Sequence, residues 1–162
     1  VRHTLPSFFA IAIFALSSGG ACLPAIRAPA FAASTGSDGT GVADLVREIN
    51  AARRKQHLRL LRIDERLCAI ARSHALDMLS RKFFSHTNPD GLDPFARMKR
   101  ANYRFGYAGE NLAVDESLDS VARDFFDSPE HRENIMEPHY VRVGIGTVSS
   151  DDGEIVVEDF SD

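Results

Sequence analysis

The apolar residues of this chain change their spacing once. From residue 42 to residue 136 they recur at helical intervals, and from residue 141 to residue 160 they alternate or run together. Val42, Leu45, Val46, Ile49 and Ala52 stand at i, i+3, i+4 and i+7 spacing and predict an amphipathic helix. Arg53, Arg54 and Lys55 close it, where cations suit the negative end of a helix dipole. Asp64 is placed to cap a second helix with an inner stripe of Leu67, Ile70, Ala71, His74, Ala75 and Met78. Asn88 to Gly91 reads as a turn. Asp93-Pro94 opens a third helix to about Ala101, Ser117 caps a fourth through Phe126, and Ser128-Pro129 opens a fifth through Met136. Val141, Val143, Ile145 and Thr147 then alternate with Arg142, Gly144, Gly146 and Val148. A turn at Ser149 to Gly153 and the run Ile155 to Phe160 complete a β-hairpin. Residues around Leu58 to Ile63 and Phe105 to Leu112 supply further strands. Helices followed by an antiparallel hairpin predict an α+β layered domain rather than a doubly wound one.

At 162 residues the chain suits one domain, preceded by a segment of different character. Residues 1–33 contain Arg2, Arg27 and no acidic residue. Leu5 to Leu16 is almost wholly apolar, but twelve residues make about 18 Å of helix, too short for a hydrocarbon core of about 30 Å. Ala30-Phe31-Ala32 forms a signal-peptidase-like pattern, so residues 1–32 read as an export signal and residues 33–41 as a flexible, small-residue lead-in to a domain at 42–162. A lipoprotein cut before Cys22 and an uncleaved anchor are the alternatives. Cleavage leaves no stable membrane span and a secreted, extracellular or periplasmic domain whose one cysteine, Cys68, has no partner. An apolar content of 44% and a charged content of 26% exclude a wholly disordered chain and a multi-span membrane protein. The net charge of −4 argues against nucleic acid as a partner. That charge is unevenly spread: residues 41–104 carry a net +7 and residues 105–162 a net −12. Either the two halves attract each other within one fold, or the surface is dipolar and orients a charged partner.

Three stretches concentrate the polar residues: Phe83 to His86, Gly109 to Asn111, and Ser128 to His131. If Ser128 caps the fifth helix, His131 is its N3 residue, where the positive end of the dipole disfavours imidazolium. A neutral imidazole suits a metal or a proton acceptor; equally, His131 could bond its own cap. His86 follows two phenylalanines at a helix-to-loop junction and reads as a pocket wall or a backbone-bonded loop residue. Glu110 sits in an aromatic-rich segment, either paired or proton-shifted, or as an acceptor for backbone N–H groups. His74 reads as a core-edge histidine. HExxH, GxSxG and GxxxxGK motifs are absent.

Taken in order, FFSH (Phe83 to His86), GENLA (Gly109 to Ala113), FFDSPEHRENIM (Phe125 to Met136) and VGIG (Val143 to Gly146) resemble the CAP superfamily of cysteine-rich secretory, antigen 5 and pathogenesis-related class 1 proteins. The likeness is to its short, disulfide-free, SCP-like bacterial members and covers about residues 42–160. It implies a three-layer α-β-α sandwich with a central antiparallel sheet and a cleft lined by two histidines and two acidic residues. His86, Glu110 and His131 match three of these; the fourth position is Ser128, so the tetrad is incomplete. Phe125 stands where many relatives have Trp. The resemblance also implies three functions. One is an extracellular binding module for a small apolar, lipid-like or peptidic ligand. Another is a hydrolase in which His86 and His131 hold Zn²⁺ or another divalent cation and Glu110 is the catalytic base. The third is an envelope-associated structural or stress factor.

Overall fold

The computed structural model describes residues 38–162, so the expected export signal and residues 33–37 of the expected lead-in lie outside the described residues. In chain order the described elements are α1 Asp38–Lys55, β1 Arg62–Ile63, α2 Glu65–Arg81, α3 Pro94–Arg100, β2 Ala108–Asp115, α4 Leu118–Asp127, α5 Pro129–Met136, β3 Arg142–Ser150 and β4 Gly153–Ser161. Four helices begin where a side-chain acceptor was expected. Asp64 accepts from the N–H of Arg66 at 2.9 Å, Asp93 from Ala96 at 2.7 Å, Ser117 from Ser120 at 3.2 Å and Ser128 from His131 at 3.4 Å. The lead-in is shorter than expected, because α1 already begins at Asp38. Gly41 packs against the Leu118 side chain, so a contact with α4 extends the helix through glycines that alone would end it.

The strands form one sheet in the order β1-β3-β4-β2. β3 and β4 are the expected hairpin, and β2 runs antiparallel to β4. The expected antiparallel sheet carries one parallel pair at its edge: β1 is parallel to β3, through Arg62↔Arg142 and Ile63↔Val143. Only two residues of the 58–63 segment pair, because Asn50 of α1 claims the neighbouring backbone. Its Oδ1 accepts from the Leu61 N–H at 2.8 Å, and its Nδ2 donates to the Leu61 carbonyl at 3.0 Å.

Alternation divides the sheet cleanly. Val143, Ile145, Val156, Phe160 and Ala113 face α1, α4 and α5 in one core. Leu112, Ile155 and Val157 face α2, whose stripe of Ala71, Ala75 and Met78 completes a second core. The molecule is therefore an α-β-α sandwich with α2 and α3 on one side and α1, α4 and α5 on the other. Gly144 and Gly146 let α2 come down onto the sheet. A methyl group at Gly144 would overlap the backbone of Leu67 and Cys68, and one at Gly146 the backbone of Ala71 and Arg72. On the opposite side Arg53 does more than complement a dipole. It is fully buried and donates to the carbonyls of Arg59 (2.8 Å), Ile135 (2.6 Å), Glu137 (3.1 Å) and Tyr140 (2.9 Å), tying the end of α1 to the exit of α5.

Candidate functional site

The site is assembled around β2, an edge strand whose adjacent residues Glu110 and Asn111 point to opposite faces. On the α2 side, the loop between α2 and α3 carries His86. Lys82 leaves α2 in the left-handed conformation, with φ of 55°. Asn88 then folds the loop, its Oδ1 accepting from the N–H groups of Asp90 (3.1 Å) and Leu92 (2.9 Å). The helix opened by Asp93 presents Arg97 one turn on. Its Nη1 donates to the carbonyls of His86 (2.7 Å) and Leu92 (3.0 Å), and its Nη2 to Glu110 Oε2. The other oxygen of Glu110 accepts from His86 Nδ1 at 2.8 Å.

Arg97 therefore holds both the backbone of His86 and the carboxylate that receives its ring. With a hydrogen on Nδ1 directed at Glu110, the His86 ring turns Nε2 away from the carboxylate. The His86 side chain is 17% exposed and that of Glu110 1%. Glu110 is paired through both of its oxygens and lies beneath His86.

His131 comes from the other layer. It is the N3 residue of α5, as expected, and its N–H bonds the Ser128 cap. Its ring stands edge-on to Phe125 with centroids 5.0 Å apart, and Nδ1 is buried without a partner among the described residues. Burial pushes the imidazole below its ordinary value, and the His86 ring lowers it further. The sequence argument for a neutral ring rested on the helix dipole; here desolvation is the leading cause. The backbone of α5 is stitched to β2. Asn111 Nδ2 donates to the His131 carbonyl at 3.2 Å, and Asn134 Nδ2 donates to the Glu110 carbonyl at 3.1 Å and to Asn111 Oδ1 at 2.9 Å.

The structure thus joins His86 to Glu110 directly and brings His131 near enough to feel His86, with no side-chain hydrogen bond from His131 to either. Ser128 acts as a cap and donates to Glu130 at 3.2 Å. His74 is buried as expected, its Nε2 donating to the Ser85 carbonyl at 3.0 Å beneath the Phe83 ring. A groove of about 820 Å³ lies between α2 and α3, with His74, Asn88 and Arg97 on its wall. His86, Glu110 and His131 are not among its lining residues.

A resident Zn²⁺ asks for three protein ligands at a catalytic site and four at a structural one. Among the described residues no group of three or more His, Cys, Asp or Glu side chains is placed to hold a metal ion. His86 and His131 supply two nitrogens at most, and the oxygens of Glu110 are engaged, so the donor set does not fit a resident zinc.

Sequence reasoning missed Arg97 and Asp159. Arg97 carries no motif of its own, only a position four residues after a helix cap. Asp159 was signalled by two consecutive acids, Glu158 and Asp159, inside an apolar strand. Alternation sends one to each face of a sheet covered on both sides, and both are fully buried.

A sandwich of this topology, with histidines held at the edge of its sheet from two layers, defines an SCP-type domain. The profile of the cysteine-rich secretory protein (CAP) family matches residues 46–160, and the chain belongs to that family. It is 37% identical over 112 residues to the uncharacterized protein YkwD of Bacillus subtilis, covering 68% of this chain and 43% of that protein. A Borreliella burgdorferi protein, also uncharacterized, is 28% identical over 100 residues, covering 62% of this chain and 64% of its own length. This chain therefore spans less than two thirds of the length of either relative. Among solved structures, an outer surface protein of Borrelia burgdorferi superposes with a TM-score of 0.70 at 26% identity, covering 75% of this chain and 92% of that one. An extracellular SCP-domain protein of Bacillus anthracis does so with a TM-score of 0.67 at 25% identity, covering 80% and 45%.

Proposed function

We propose that this chain is an exported binding module in which His86 and His131, flanking the edge of β2, contact a small apolar or peptidic ligand. The observation that carries this reading is the commitment of Glu110. A hydrolase of the kind the family resemblance suggested would need that carboxylate to activate water. Here one of its oxygens accepts from Arg97 and the other from His86. A general base must reach the proton it removes, and a side chain 1% exposed beneath its own hydrogen-bond donor does not. What the site offers instead is a neutral His131 packed edge-on to Phe125 and an oriented, partly exposed His86. Export is supported by the apolar N-terminal segment and by relatives described as outer-surface and extracellular proteins. Among the described residues no helix is long and apolar enough to cross a membrane.

Native mass spectrometry of the purified chain, after incubation with oleate or with a tryptic digest of casein, tests the reading. The expected result is a retained adduct that disappears in the His86→Ala/His131→Ala double variant. No adduct above background with either probe, or an adduct unchanged in the double variant, contradicts it.

A further inference from the structure

We propose that Asp159 is a positioning residue for His86: a buried carboxylic acid that keeps its proton at neutral pH and donates it to Glu110, holding the carboxylate that fixes the imidazole. The inference holds whatever His86 binds. Asp159 lies on β4 between two strands, opposite Glu110 of β2 and opposite Gly144 of β3. Directly opposed residues of an antiparallel pair project to the same face, so Asp159 and Glu110 both look toward α2. On the Gly144 side the α2 backbone at Leu67 and Cys68 rests on the sheet. Glu110 is therefore the side chain directly across from Asp159 on that face, with the Arg97 guanidinium also near.

Hydrogen bonding says which acid holds the proton. The oxygens of Glu110 already accept from Arg97 and His86. Those of Asp159 are buried and receive no N–H or O–H donor among the described residues.

The charge count agrees. The titratable groups around Asp159 are Glu110 from β2, Arg97 from α3, and His74 and Cys68 from α2, with His86 beyond Glu110. Burial holds His74 neutral and raises the Cys68 thiol. Arg97 is thus the one permanent cation in the group and matches a single carboxylate. A second buried carboxylate with no matching charge would carry an uncompensated desolvation penalty, and retaining a proton removes it. Burial pushes the Asp159 carboxyl well above the ordinary range, the neighbouring Glu110 pushes it the same way, and Arg97 offsets part of this.

The O–H of Asp159 then adds a third donor to Glu110, beside Arg97 and His86. Three donors from three elements leave that carboxylate one orientation. One orientation gives His86 one tautomer, with hydrogen on Nδ1 and Nε2 outward. An amide at position 159 preserves the donor without the acid; a methyl group abolishes it.

Carboxyl ¹³C and imidazole ¹⁵N spectra of the full chain test this with Asp159→Asn and Asp159→Ala. The expected Asp159 carboxyl signal is that of a protonated acid at neutral pH, where a free Asp is ionised. His86 is expected as a single Nδ1–H tautomer in the wild type and in Asp159→Asn, and as a tautomer mixture in Asp159→Ala. An ionised Asp159 signal at neutral pH overturns the proposal, as does a folded Asp159→Ala with an unchanged His86 tautomer. Should Asp159→Ala fail to fold, the wild-type carboxyl signal and Asp159→Asn decide: an acid signal with a single tautomer upholds the proposal, and a tautomer mixture in the amide variant overturns it.

Discussion

Arg97 makes three contacts with one guanidinium, to two loop carbonyls and to the Glu110 carboxylate. Its side chain is 9% exposed and that of Glu110 1%, so water screens little of the interaction. Removing one member of such a pair leaves the other buried and uncompensated, which costs far more than the intact pair contributes. Arg97→Ala is expected to destabilise the fold by about 3–5 kcal/mol in urea denaturation and to release the His86 loop. Arg97→Lys keeps the charge but not the fork of donors, so it is expected to recover only part of that loss. Wild-type stability in Arg97→Ala would show that the network contributes nothing to folding.

At the scale of elements, α2 lies directly on β3, and two glycines without side chains make that approach possible. Gly146→Ala drives a methyl into the backbone of Ala71 and Arg72, which cannot rotate away as a flexible side chain would. The expected cost is about 3 kcal/mol or more, read as a lowered urea midpoint with an unchanged slope. A midpoint within error of the wild type would mean that α2 shifts freely. The α2 stripe, the caps and the hairpin were legible because each is written in local spacing: six apolar-face positions, one cap residue, an alternating run. The partner of β1 was not, since Arg62 and Arg142 are eighty residues apart in sequence and nothing local records their meeting. The same distance hid Arg53, whose position at a helix end suggested a solvent-facing cation while its carbonyl partners lie beyond α5. Of the site, His86, Glu110 and His131 were legible through the family resemblance. Their orientations depend on Arg97, Asn134 and Asp159, whose roles arise only when three layers close around one strand.

For the molecule as a whole, the sequence divides into a basic stretch and an acidic one. Among the described residues the first pairs with the second through Glu110, by way of Arg97 and His86, and through Asp64 with Arg142 at 3.9 Å; Arg81 and Arg47 pair within the basic stretch. Two acids of the second stretch are instead buried in the central strand. Glu158 accepts from Asn111 Nδ2 at 3.0 Å through one oxygen and has no partner among the described residues for the other. Burial pushes it up from 4.5 to about 8. Between those values the folded chain binds a proton that the unfolded chain has released. The associated stability is complete below pH 4.5 and is lost as pH rises through about 8. The wild type should therefore weaken from mildly acidic to mildly alkaline pH, by up to about 1.4 kcal/mol per pH unit from this group. Glu158→Gln, nearly identical in shape, should flatten that slope. Parallel stability–pH curves for the two proteins would contradict the assignment.

The account turns on Glu110 being spent on structure rather than left free for chemistry. The most direct measurement is turnover of casein and of a p-nitrophenyl ester by the purified chain, with and without a chelator. The prediction is no turnover above the uncatalysed rate in either condition. Turnover that the chelator or a folded Glu110→Gln variant abolishes would contradict it, and would return the carboxylate to the role of base.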